Sequence, residues 1–178
     1  MKVLGIVGRK DSGKTHLVVR LVGELRARGL VVSTVKHTHH HDIEFDVPGK
    51  DSWRHRQAGA SEVLVASDRG WYLAHAANPD PGARPPGLED LLARLAPCDV
   101  VLVEGYKGLT RHPRLEVYRP RAADAPAPLA AADPGIVAVA CPPGPRPAGC
   151  GPGTTWLDLD ATPDIADFLL ALPDRLGR

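Results

Sequence analysis

The chain has 178 residues, 43% of them hydrophobic and 24% charged, with a formal net charge of +1. That composition suits a folded domain with a full-sized core, and the near-neutral balance gives no global attraction to nucleic acid or to an anionic membrane. No stretch approaches the roughly 20 apolar residues that span a bilayer. The opening MKVLGIVGRKD lacks the long apolar run and small-residue cleavage site of a signal peptide. The three cysteines, Cys98, Cys141 and Cys150, are far apart and show no C-x-x-C spacing. A reduced, cytoplasmic setting is expected.

In chain order, the apolar run VLGIV (Val3 to Val7) ends at Gly8 like a buried parallel strand. Leu17, Val18, Leu21, Val22 and Leu25 then recur at helical spacing, with Gly29 placed to end the helix. VVSTVK (Val31 to Lys36) is a second strand, so the opening is strand, helix, strand, the order of a right-handed crossover. After a histidine-rich stretch, a helix is predicted to begin near Trp53, capped by Asp51 or Ser52. SEVLVAS and GWYLAH read as two strands joined by a turn at Asp68 to Gly70. Residues 78–87 form a proline and glycine loop, and Leu88, Leu91, Leu92 and Leu95 a helical stripe. DVVLVEG (Asp99 to Gly105), PRLEVY, IVAVAC and WLDL are further strands. Residues 120–135 have linker composition. Pro163 to Leu172 is predicted to be a closing helix with proline in its first turn. The alternation predicts one α/β domain over 1–178, with a mostly parallel sheet and an added β-hairpin.

Between the first strand and the first helix stands GRKDSGKT, Gly8 to Thr15, which fits G-x-x-x-x-G-K-[ST]. Glycines let the backbone curl so that successive N–H groups face phosphate oxygens, and the helix N-terminus adds partial positive charge. The phosphate-binding set is Gly8, Lys10, Asp11, Ser12, Gly13, Lys14, Thr15 and His16. Lys14 would reach the terminal phosphates and Thr15 would ligate Mg²⁺. A carboxylate on the metal side is also expected, and Glu104 ends a buried strand just before Gly105. Lys14 and Glu104 are thus the candidate catalytic pair. Lys36 ends the second strand and either points into the same crevice or is solvated.

The motifs GIVGRKDSGKT, VKHTHH, DVPGKDSWRHRQAGA and DVVLVEGYK occur in the order seen in the molybdopterin-guanine dinucleotide biosynthesis adaptor proteins, the MobB family, which the chain resembles over residues 1 to 118. The resemblance implies a three-layer, P-loop NTPase-like fold, GTP binding with Mg²⁺ and at most slow GTP hydrolysis. It also implies a homodimer and partnership with the guanylyltransferase that attaches GMP to molybdopterin, with molybdopterin itself a further candidate ligand. Asp51 matches a metal-side carboxylate position in the related dethiobiotin synthetase, and Asp46 competes for that role. Lys50, Arg54 and Arg56 would serve anionic groups or a partner surface, or form a solvated basic face.

No N-K-x-D motif for guanine occurs anywhere, so GTP over ATP follows from the resemblance alone. Two other functions fit the same residues: an ATP-dependent small-molecule kinase or ligase, and a metallochaperone GTPase. The latter draws on His37, His39, His40 and His41, four of the chain's eight histidines. These lack the spacing of a four-ligand zinc site, and the stretch reads as a phosphate-side or substrate-side loop with His37 facing the site. The arginine-rich 110–121 segment either grips an anion or lies on the surface with its charges outward.

Overall fold

The computed structural model describes residues 1–38, 46–75, 86–106, 111–120, 125–146, 149–150 and 153–174. Within what the sequence reads as one domain there are two compact units, Met1–Thr38 with Leu88–Arg178, and His39–Gly87. The loop expected over 78–87 falls, for its first eight residues, outside the described residues.

The first unit is built on a six-stranded sheet. Its elements are β1 (Lys2–Val7), α1 (Lys14–Ala27), β2 (Val32–Lys36), α3 (Leu88–Leu92), β5 (Val100–Glu104), β6 (Arg114–Val117), β7 (Ile136–Cys141), β8 (Thr155–Asp158) and α4 (Thr162–Ala171). The spatial order is β2-β5-β1-β6-β7-β8, and every pairing is parallel. β1 is therefore central, with β5 inserted between it and β2.

Period-two alternation along the buried strands sorts the core into two layers. Leu4 and Ile6 of β1, Leu102 of β5, Leu115 and Val117 of β6, and Ala138 and Ala140 of β7 face Leu17, Leu21 and Leu25 of α1 and Ile165 and Leu169 of α4. Val3, Val101 and Val103 face the opposite way, onto Leu92 with Leu88 and Leu95. Helices thus cover both faces of the sheet, giving the three-layer α/β fold expected. α1 ends as its composition demands: Gly29 takes φ 83° and Leu30 N–H reaches back to the Leu25 carbonyl at 3.2 Å, a six-residue closing bond.

Within the 110–121 segment, PRLEVY is not a surface strand with its charges outward. All four residues of β6 are buried between β1 and β7, including Arg114 and Glu116. Two buried charges in a central strand need partners, and the 120–135 segment supplies them. Glu116 accepts the backbone N–H groups of Leu129 (2.8 Å) and Ala130 (2.9 Å), at the start of a 3₁₀ turn over Leu129–Ala131. Arg114 donates twice to Asp133, at 2.6 and 2.7 Å. The Tyr118 hydroxyl donates to the Pro126 carbonyl at 3.1 Å. The described part of that segment, 125–135, is a docked loop rather than a linker: its alanines and prolines offer main-chain groups to side chains rising from the sheet.

The second unit contains α2 (Asp51–Gln57) and an antiparallel hairpin, β3 (Glu62–Ser67) with β4 (Gly70–His75). Val63 and Ala74, paired across the hairpin, are its buried residues. Leu64 pairs with Leu73, and Ala66 with Trp71, on the other face. That face stays open: Leu64 is 58%, Trp71 68% and Leu73 46% exposed. A hydrogen bond between His75 Nδ1 and Glu62 Oε1, 2.9 Å apart, closes its end.

Candidate functional site

The loop from Gly8 to Thr15 leaves the carboxyl end of β1 and enters α1. Gly8 has φ 148°, and a Cβ there would come within 2.5 Å of the Val117 carbonyl oxygen and 2.8 Å of Ser12 Oγ. No other residue fits. Asp11 (φ 59°) and Gly13 (φ 97°) take left-handed conformations, curling the backbone as a phosphate cradle requires. Gly13 caps α1, and its carbonyl accepts the Leu17 N–H at 3.0 Å, while the helix has no side-chain cap. Its first-turn amides are thus left for an anion. Ser12 Oγ is buried with no hydrogen-bond partner among the described residues.

The Lys14 ammonium folds back across the loop, donating to the Gly8 carbonyl at 3.1 Å and the Arg9 carbonyl at 2.7 Å. The Thr15 hydroxyl donates to Glu104 Oε1 at 2.6 Å. Parallel register brings them together, because Glu104 lies opposite Ile6 of β1 on one side and Lys36 of β2 on the other. Lys36 Nζ stands 3.4 Å from Glu104 Oε1 and 3.5 Å from Thr15 Oγ1. Lys14, Thr15, Glu104 and Lys36 therefore gather at one sheet edge, and Lys36 points into the crevice. The set fits a nucleotide with Mg²⁺. The Thr15 hydroxyl donates its hydrogen bond to Glu104 and keeps lone pairs for a cation, while Glu104 is a nearly buried carboxylate suited to a metal-bound water.

His37 follows directly. Its backbone N–H donates to the Glu104 carbonyl at 2.9 Å, and its ring sits edge-on to Tyr106, centroids 4.7 Å apart. The close approach of the His37 carbonyl, 3.2 Å from a Cβ placed on Gly105, accounts for that glycine, whose φ is 85°. His39, His40 and His41 lie outside the described residues. Lys10 and His16 are exposed at the loop and at the first turn of α1. Asp46, Lys50, Asp51 and Arg54 belong to the second unit, around the start of α2. Lys50, Asp51 and Arg54 are exposed there, and Asp46 Oδ1 accepts the Val47 N–H at 3.0 Å.

Two clefts open beside the loop, on the β6–β8 side of β1, away from Glu104. One, of about 360 Å³, is lined by Arg9, Lys10, Asp11 and Ser12 and by the stretch from Glu116 to Pro120 with Ala125 and Pro126. The other, of about 480 Å³, is lined by Asp11, Gly13, His16, Arg20, Arg119, Leu159 and Asp160. The sequence reading missed Arg20 and Asp160, and included Arg119 only as part of the arginine-rich 110–121 segment. Asp160 carried a usable signal, since it follows a strand at the same carboxyl edge, the argument that singled out Glu104.

Comparison with known proteins agrees with this geometry. Residues 3–142 match the family model described as molybdopterin guanine dinucleotide synthesis protein B. The chain is 36% identical over 169 residues to the molybdopterin-guanine dinucleotide biosynthesis adapter protein of Haemophilus influenzae, covering 94% of this chain and 86% of that one. It is 38% identical over 107 residues to the Escherichia coli protein of the same name, 59% of each chain. A solved structure of molybdopterin-guanine biosynthesis protein B superposes with a TM-score of 0.66 at 27% identity, over 95% of this chain and 97% of the other.

Proposed function

The chain belongs to the molybdopterin guanine dinucleotide synthesis protein B family, and from that premise we propose that it is a GTP-binding adapter in molybdopterin-guanine dinucleotide biosynthesis. The observation that carries the nucleotide reading is the gathering of Lys14, Thr15, Glu104 and Lys36 at the mouth of a curled glycine loop. Gly8 to Thr15 supply amides to the phosphates, and Lys14 exchanges its two loop carbonyls for terminal phosphate oxygens. Mg²⁺, when bound, would neutralise charge on those oxygens. Thr15 and Glu104 would hold it. Within the second unit, Lys50 and Arg54 are proposed for the partner side.

Hydrolysis is proposed to be slow for a reason internal to the site. Glu104 already accepts the Thr15 hydroxyl and lies beside the Lys36 ammonium, so its carboxylate is engaged in holding the cation side of the site rather than in positioning a water. Slow turnover suits an adapter that presents nucleotide to a partner. The proposed partner is the guanylyltransferase that joins GMP to molybdopterin. The open apolar face of the β3–β4 hairpin supports a homodimer, because patches of this kind mark association surfaces. Among the described residues no helix is long and apolar enough to cross a membrane, and the proposed setting is the cytoplasm.

Reconstitution tests the proposal. Guanylyltransferase, molybdopterin, GTP and Mg²⁺ are combined with and without this chain, and dinucleotide formation is followed. The parent chain should raise the yield and Lys14→Ala should not. Equal yields with and without the parent chain would overturn the adapter reading.

A further inference from the structure

We infer that Asp160, in the cleft beyond β8, selects guanine over adenine; this rests on the nucleotide reading of the phosphate loop. The direction in which a nucleotide must lie follows from the sheet order. Its metal end is pinned on the β5 side of β1 by Thr15, Glu104 and Lys36. The rest of the molecule therefore extends the other way, over the first turn of α1 and towards β6–β8. There the cleft lined by His16, Arg20, Arg119, Leu159 and Asp160 shares Gly13 with the loop itself. At about 480 Å³ it is within the range of small-molecule sites and roomy enough for a purine nucleoside.

Asp160 is held there with its carboxylate still available. Its N–H donates to Asp158 Oδ1 at 2.9 Å, and its carbonyl accepts the Thr162 N–H at 3.1 Å. Arg20 clamps the main chain behind it, donating to the Leu159 carbonyl at 2.5 Å and the Asp160 carbonyl at 3.4 Å. The Asp160 side chain stays 71% exposed, with only a loose 3.9 Å approach from Arg20 Nη1. Arg20 Nε is buried without a partner among the described residues, a spare donor in the same wall.

A carboxylate is acceptor-only, and guanine offers it two adjacent donors, N1–H and the N2 amino group. Adenine places an unprotonated ring nitrogen where N1–H would be, so its lone pair meets the carboxylate. The neighbouring cleft has no equivalent reader. Its Glu116 is fully buried, with both oxygens used on Leu129 and Ala130. Asp11, shared by both clefts, stands within the phosphate loop and so beside the phosphates rather than the base. Asp160 thus does the work of the absent N-K-x-D aspartate from a different strand.

The test is titration of the full chain with the Mg²⁺ complexes of GTP, ATP and xanthosine triphosphate, whose C2 carbonyl replaces the guanine amine. The parent should prefer GTP to ATP. Asp160→Ala should weaken GTP at least about tenfold and leave ATP within about threefold, and Asp160→Asn should gain at least about tenfold for xanthosine triphosphate, because its amide donates to that carbonyl. An unchanged GTP-to-ATP ratio in both variants, or a parent indifferent to the base, would overturn the assignment. Either result leaves the phosphate-loop reading standing wherever Lys14→Ala still weakens binding at least about 30-fold. A parent that binds no nucleotide would overturn both.

Discussion

The Thr15 hydroxyl donates to Glu104 Oε1 at 2.6 Å, tying the first turn of α1 to the end of β5 across the mouth of the phosphate loop. Lys36, 3.4 Å from the same oxygen, holds the carboxylate from the other neighbouring strand. Three elements thus fix one carboxylate at the place where a cation beside the terminal phosphates would need it.

Glu104→Gln preserves the shape of that contact and removes its negative charge. Nucleotide binding should persist while its Mg²⁺ dependence weakens, with half-saturation moving up about tenfold, or ~1.4 kcal/mol. Hydrolysis should slow further. Mg²⁺ titrations that superimpose for variant and parent would make Glu104 an ordinary strand end.

Glu116→Gln tests the docked loop. One of the backbone donors, Leu129 or Ala130, would face an amide NH₂ instead of a carboxylate oxygen, inside a fully buried site. Losing a charge-assisted bond and stranding a donor should cost about 2–4 kcal/mol of stability. Urea denaturation measures it, and a midpoint unchanged from the parent would mean that the loop is not held by this side chain.

Asp133→Ala leaves the Arg114 guanidinium, 5% exposed, without its bidentate partner. The guanidinium lies against Gly135, where a Cβ would collide with Arg114 Nη2. A loss of about 2–4 kcal/mol is expected, since breaking a largely buried pair strands a charge. Thermal melts should show it as a clear fall in Tm, and a Tm within a degree of the parent would contradict it.

Leu64→Lys with Leu73→Lys places charge on a directly paired couple of the open hairpin face. Both side chains are about half exposed, so the monomer fold should change little, whereas a homodimer built on that face should dissociate. Sedimentation velocity decides: a parent dimer turned into variant monomer supports the surface, and an unaltered species would remove it.

Element order was legible because β1, β5 and β7 are short apolar runs closed by Gly8, Glu104 and Pro142 respectively, and because α1 carries its stripe and its Gly29 stop. Glu104 and Lys36 could be chosen as crevice residues because strand ends gather at one sheet edge. Partnerships across long separations were not legible. Nothing local in PRLEVY says that its arginine and glutamate are buried, since their partners, Asp133 and the Leu129 and Ala130 amides, come from a stretch with linker composition. Asp160 escaped notice, and Arg119 stood out only as part of an arginine-rich segment, for the same reason. They meet only when β8 returns beside β7, beyond the part of the chain that the motifs cover.

The phosphate loop is the claim on which the rest depends, and Lys14→Ala tests it most directly. In calorimetric titration with GTP and Mg²⁺ the variant should lose about 2–4 kcal/mol, roughly 30- to 1,000-fold in affinity, because a charge-assisted contact disappears. Its circular dichroism spectrum should match the parent's, since Lys14 lies at the start of α1 and takes no part in the apolar core on either face of the sheet. Unchanged GTP affinity in a natively folded Lys14→Ala chain would contradict the account.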